Sequence, residues 1–171
     1  MNRGKVPDPP PSEGLLTPRQ AGFVKQAVKT SLAGTLALYL AGLIRLPEAY
    51  WAAISAIIVM QSDISAAVKA SVNRLAGTAI GAVVGACVVS LFGAPLWAFA
   101  FGVLCAILLC ALIGRWETYR FAGVTVAIVM LVTHHGTPWT VAWHRFLEVS
   151  IGIVVALVTT LLWPRNDAER P

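Results

Sequence analysis

Residues 72–92 read VNRLAGTAIGAVVGACVVSLF, in which Asn73 and Arg74 open a run that carries no further charge. At 1.5 Å per residue, about 20 apolar residues of helix cross the ~30 Å hydrocarbon core of a bilayer. Gly77, Gly81 and Gly85 recur at every fourth position and so share one helical face. A face without side chains lets a neighbouring backbone approach closely, which is how helices associate where water cannot drive them together. The stretch reads as a membrane helix with a packing seam, within one protomer or between two.

Five similar runs surround it. The expected spans are Ala27 to Ile44, Tyr50 to Gln61, Val72 to Phe92, Leu96 to Ile113, Tyr119 to Thr133 and Phe146 to Trp163. Pro47, Gly93 with Pro95, Gly136 with Pro138, and Pro164 punctuate the connections, as helix breakers do. Hydrophobic residues make up 57% of the chain and charged ones only 12%, with a mean hydropathy of +0.74. That composition leaves too little polar surface for a soluble domain. The apolar residues come in runs, not in the alternation of a β-barrel wall. The expected fold is therefore all-α, a polytopic membrane protein of about six transmembrane helices. Residues 1–26 are expected to form a basic, proline-containing cytoplasmic tail without a cleavable signal peptide. Residues 27–164 form the six-helix domain, and 165–171 a short cytoplasmic tail.

Basic residues set the orientation. With the N-terminus inside, Arg3, Lys5, Arg19, Lys25, Lys29, Lys69, Arg74, Arg115, Arg120, Arg165 and Arg170 fall on the cytoplasmic side, and only Arg45 and Arg145 outside. Both termini are expected in the cytoplasm, with the chain multi-pass in the inner membrane. The net charge of +5 is thus a topological signal and not a nucleic-acid footprint.

A repeat organises these spans. Shifted by 70 positions, Arg45 falls on Arg115, Trp51-Ala52-Ala53-Ile54-Ser55 on Phe121-Ala122-Gly123-Val124-Thr125, and Ile58-Val59-Met60 on Ile128-Val129-Met130. One inserted residue later, Arg74-Leu75 falls on Arg145-Phe146 and Ile80-Gly81 on Ile151-Gly152. Three spans per half would make the halves inverted, a 3+3 arrangement recurrent in transporters. The second and fifth spans are the shortest and occupy equivalent places, which points to a transport pathway or to polar flanks lying in the interface.

Candidate pathway residues follow from charge and position: Arg45, Tyr50, Trp51, Gln61, Arg74, Arg115, Phe121, Arg145 and Glu148. Guanidinium groups bind carboxylates bidentately, whereas many juxtamembrane arginines only snorkel to headgroups. Arg45 and Arg145 stand on the side where topology disfavours cations. Glu148, one turn after Arg145, is a candidate for coupling or gating, or the partner of Arg145 in an i,i+3 ion pair. Asp63 is a candidate for the pathway or, the better reading, the N-cap of the segment before the third span. The helix-packing set is Gly77, Gly81, Gly85, Gly152 and Ala156.

Other chemistry finds no support. His134, His135 and His144 lack a spacing that would put all three on one face, so no metal site is expected. Cys87, Cys105 and Cys110 fall within apolar runs and read as small hydrophobes. Trp97, Trp139, Trp143 and Trp163 stand near span ends, as an aromatic belt would. No nucleophile elbow, phosphate loop or dinucleotide fingerprint occurs, so neither an enzyme nor a cofactor is expected.

The stretch Tyr50-Trp51-Ala52-Ala53-Ile54-Ser55-Ala56-Ile57-Ile58-Val59-Met60-Gln61 resembles a signature segment of the fusaric-acid-resistance-like family. That family overlaps the aromatic acid exporters and is distantly similar to plant aluminium-activated malate channels. Asn73-Arg74-Leu75-Ala76-Gly77-Thr78-Ala79-Ile80-Gly81 resembles the pattern opening its next helix, and Arg145-Phe146-Leu147-Glu148 through Leu162-Trp163-Pro164 the end of its membrane domain. Where family members often have proline after the glutamine, this chain has Ser62. The resemblance implies a six-helix membrane domain, efflux of organic anions or drugs, and dimeric assembly.

The expected function is export of small aromatic or carboxylated anions across the inner membrane, by a homo-oligomer, a dimer first, or with an efflux partner. Arg74, Arg115 and Arg145 would attract the anion, and Tyr50, Trp51 and Phe121 would stack on an aromatic ring. The rival expectation is a non-transporting membrane scaffold that binds another membrane protein through its glycine face.

Overall fold

The computed structural model describes residues 18–132 and 136–163. The proline-rich start, His134, His135, Pro164, Arg165 and Arg170 lie outside the described residues. The order is α1 (Pro18–Leu43), α2 (Tyr50–Val59), α3 (Ile64–Phe92), α4 (Leu96–Leu112), a 3-10 turn (Trp116–Thr118), α5 (Tyr119–Leu131) and α6 (Pro138–Leu162). No strand occurs among the described residues.

Three helices reach further toward the N-terminus than the apolar runs indicate, and at α3 and α6 capping chemistry, not hydropathy, decides where they begin. Helix α1 is described from Pro18, inside the stretch read as tail. Asp63 caps α3 by accepting from the Ala66 N–H at 3.1 Å, so the helix takes in ISAAVKAS before the apolar run. Thr137 does the same for α6, accepting from the Thr140 N–H at 3.2 Å with Pro138 at the first position. α2 and α5 end at Val59 and Leu131, each two residues short of the expected boundary.

Among the described helices, α3 and α6 are each long and apolar enough to cross a membrane, at about 43 and 37 Å. They pack on one another at the centre. α1 and α2 flank α6, while α4 and α5 flank α3. One core joins Ala33, Ala37 and Ala41 of α1 with Ala52, Ala56 and Val59 of α2 and with Val149, Ile153 and Ala156 of α6. The other joins Val88 of α3, Ala98, Ala106 and Cys110 of α4, and Ala122, Val126 and Met130 of α5. The packed groups are therefore α1–α2–α6 and α4–α5–α3. Each takes its long helix from the other half of the sequence.

The interior is built from small residues, and the large ones face outward. Leu91, Leu96, Leu112, Leu161 and Leu162 are each more than 60% exposed. This inverts the soluble pattern and suits helices packed in lipid. The glycine seams are used within the chain. A Cβ on Gly77 would meet the Phe121 Cβ at 2.6 Å, and one on Gly81 would press on the Ala122 carbonyl of α5. Across the other seam, a Cβ on Gly152 would press on the Ala52 carbonyl of α2.

Helices α1 and α4 end in the same hydrogen bonds. The Arg45 N–H donates to the Gly42 carbonyl and Leu46 to Ala41, as Gly114 does to Ala111 and Arg115 to Cys110. Arg45 and Gly114 both take positive φ, 56° and 72°. These caps match Arg45 with Gly114, one residue before Arg115, so the 70-residue register slips by one here. An arginine in the left-handed region is uncommon, and glycine takes it without strain.

Candidate functional site: two buried arginines

Arg145 and Arg74 are 3% and 4% exposed, and each guanidinium lies over an aromatic ring from a helix of the other half. Arg145 of α6 stands 4.8 Å from the Trp51 ring centre on α2. Arg74 of α3 stands 4.9 Å from the Phe121 ring centre on α5. The close seams hold these pairs in place. Gly77 and Gly81 bring α3 against α5 one and two turns beyond Arg74, and Gly152 brings α6 against α2 two turns beyond Arg145.

Around Arg145 the charge is met inside the chain. Its Nη1 donates to Glu148 Oε2 at 3.0 Å, and its Nη2 pairs with Glu48 Oε2. The same Glu48 oxygen accepts from the Tyr50 hydroxyl at 2.6 Å and the Trp51 indole at 3.0 Å. The Glu48 backbone N–H donates to Glu148 Oε1 at 3.1 Å, tying the α1–α2 loop to α6. Burial alone would raise the Glu48 carboxyl, but the hydrogen bonds from Tyr50 and Arg145 and the charge of Arg145 outweigh it and hold it below the usual range. The i,i+3 pair of Arg145 and Glu148 was open to sequence reasoning. Glu48 was not singled out, although it is an acid in the α1–α2 loop just before the Tyr50-Trp51 pair.

Around Arg74 no carboxylate stands within ion-pair distance among the described residues. Its Nη2 donates to the Ser55 hydroxyl of α2 at 3.4 Å, a long contact, and its buried Nε has no hydrogen-bond partner. Thr118, fully buried in the turn before α5, also has a hydroxyl without a partner. Through Ser55 and Phe121, Arg74 touches both short helices, α2 and α5. Those two share no packing contact of their own, since the α3–α6 pair stands between them.

The remaining expected residues lie apart from these clusters. Arg45 is exposed at the α1–α2 loop, and Gln61 is half-buried beyond the end of α2. Arg115 lines an open cleft of about 520 Å³ with Asn73, Ile113, Gly114, Trp116 and Glu117. In that cleft Glu117 accepts from Lys69 and Asn73, each at 2.8 Å, which hold its carboxyl below the usual range. His144 is half-buried on α6, and Cys110 is buried while Cys87 and Cys105 are half-buried.

The family described as fusaric acid resistance protein-like matches residues 36–159. The uncharacterized transporter YdhK of Escherichia coli (strain K12) is 25% identical over 153 residues, covering 84% of this chain and 23% of that protein. YdhK of Salmonella typhimurium (strain LT2) is 25% identical over 157 residues, covering 86% and 23% respectively. This chain spans about a quarter of the length of these curated relatives. No solved structure matches.

Proposed function

This chain is a membrane protein of the fusaric acid resistance protein-like family, and on that premise we propose that it transports small organic anions, aromatic or carboxylated, out of the cell. The observation that carries the reading is Arg74, a buried cation without a counter-ion among the described residues, held between Ser55 of α2 and Phe121 of α5. In this proposal all six helices span the inner membrane with both termini in the cytoplasm. Helices α1–α3 and α4–α6 are inverted repeats.

The reciprocal seams, Gly81 against Ala122 and Gly152 against Ala52, support the repeat, because each residue lies 70 or 71 positions from its counterpart. The lengths of α2 and α5, about 15 and 20 Å, fall short of a ~30 Å core. Short helices at equivalent places leave room for a polar route, which here follows the α3–α6 pair past Arg74. Arg115, in the open cleft, would collect anions at the cytoplasmic mouth. A homodimer is the proposed assembly, with a separate efflux partner as the variant in which the chain works as a subunit. The scaffold reading loses its main support, because Gly77, Gly81 and Gly85 are closed by α5 of the same chain.

The test is flux. Protein reconstituted in liposomes is expected to move an aromatic or dicarboxylate anion down its gradient. No flux of any such anion, together with unchanged export from a deletion strain, would remove the transport reading.

A further inference from the structure

We infer that Arg74 is the single anion seat of the chain, taking one carboxylate, and that its counterpart Arg145 is filled from within by Glu48 and Glu148. The inference deepens the proposed anion transport and rests on it for the ligand class.

The two arginines stand 71 positions apart, in equivalent places on α3 and α6. Carried across the same repeat, Trp51 corresponds to Phe121, and each ring lies under its arginine. The carboxylates have no match beside Arg74. Glu148 corresponds by 71 positions to Gly77, and Glu48 by 70 to Thr118. In the 69-residue register of the helix caps Glu48 falls on Glu117 instead, whose carboxylate is exposed and taken by Lys69 and Asn73.

Nε of both arginines is buried without a partner, but at Arg145 both Nη atoms engage carboxylates. At Arg74 the guanidinium has only the long hydrogen bond to Ser55 at 3.4 Å among the described residues, and the Thr118 hydroxyl is buried without a partner. A charge held out of water is disfavoured unless a counter-charge meets it. The Phe121 ring attracts the guanidinium but brings no neutralising charge. An anion does.

The occupied half indicates which anion. Beside Arg145 the ligand is a carboxylate held by a guanidinium N–H and a hydroxyl. The Thr118 carbonyl lies against Gly77, one turn beyond Arg74, so Arg74 and Thr118 offer the same two donor types from adjoining positions, and one positive charge is balanced by one negative one. The Phe121 ring adds an apolar face beside the seat.

The full chain, purified in detergent, is titrated with benzoate and with benzamide, which has nearly the same shape and no charge. One benzoate per chain is expected, with no binding of benzamide. Arg74→Gln is expected to weaken benzoate about a hundredfold. Thr118→Glu keeps the arginine but supplies the missing internal carboxylate, so it also abolishes binding while adding an ion pair. It decides the matter even if Arg74→Gln does not fold. Two benzoates per chain, wild-type affinity in Thr118→Glu, or displacement by chloride at equal concentration would overturn the assignment. Benzoate bound at Arg74 without flux of any anion would leave the seat standing and remove the transport reading. Flux that survives both variants would do the reverse.

Discussion

The guanidinium of Arg145 lies 4.8 Å from the centre of the Trp51 ring, joining the last helix to the first short one. The contact matters because it forms one wall of a closed cluster, with Glu48 and Glu148 on the remaining sides.

Removing the cation should therefore cost more than removing either acid. Arg145→Gln leaves two carboxylates, 20% and 1% exposed at their side chains, facing each other without a counter-charge. Breaking a buried pair in this way costs about 3–5 kcal/mol. Thermal unfolding in detergent is expected to show a large fall in Tm for Arg145→Gln and a smaller one for Glu48→Gln. Equal Tm values for wild type and Arg145→Gln would contradict the cluster.

Acid should loosen the same corner. The Glu48 carboxyl is held below its ordinary value, so its contribution is fully present above the unfolded-state pKa of about 4.3. It is lost as pH falls through the lower folded value, where protonation ends the pairing with Arg145. The stability gap between wild type and Glu48→Gln is expected to be constant near neutrality and to close in that acid range. A gap that widens with acid would give the wrong sign.

The seams predict a contrast between glycines. Alanine at Gly152 would put a methyl on the Ala52 carbonyl and 2.8 Å from the Ser55 Cβ. Alanine at Gly81 does the same against Ala122. Overpacking of this kind costs about 1–3 kcal/mol per site. Gly42 has nothing within 4 Å of a built Cβ, so Gly42→Ala is expected to leave Tm unchanged or raise it. Folded yield and Tm across the three variants check the order.

Lys29 gives a fourth handle. Buried on α1, it donates its ammonium to the Trp163 carbonyl at the end of α6, 3.0 Å away. A charged donor on an orphan C-terminal carbonyl contributes about 1.5–3 kcal/mol. Lys29→Met keeps the stem and removes the bond. Its Tm should fall, and amide exchange near Trp163 should quicken.

Local chemistry was legible in the sequence, and long-range partnership was not. Asp63 as a cap and Arg145 with Glu148 need only the spacing along one helix. The apolar runs located all six helices, but starts at Ile64 and Pro138 depend on caps set among polar residues, where hydropathy is blind. Glu48 reaches Arg145 across 97 positions of chain, and no local pattern announces such a pairing. Arg74 and Arg145 looked alike because a shift of 71 positions aligns them. Only their neighbours in space, two acids for Arg145 and Ser55 with Phe121 for Arg74, tell them apart. The one-residue slip at Arg45 and Gly114 was hidden for a similar reason, since backbone handedness leaves no mark on an apolar alignment.

The exchange of long helices between the packed groups carries a consequence for biogenesis. As the ribosome delivers the chain, α3 enters the bilayer before α5 exists, so its glycine face has nothing to close upon. The Trp51 ring and the Glu48 loop wait longer still, for Arg145 and Glu148 to be translated. A truncated product ending after α5 would thus carry an unlatched first loop and an open α2 groove, the exposed features by which quality-control proteases can recognise an unfinished chain.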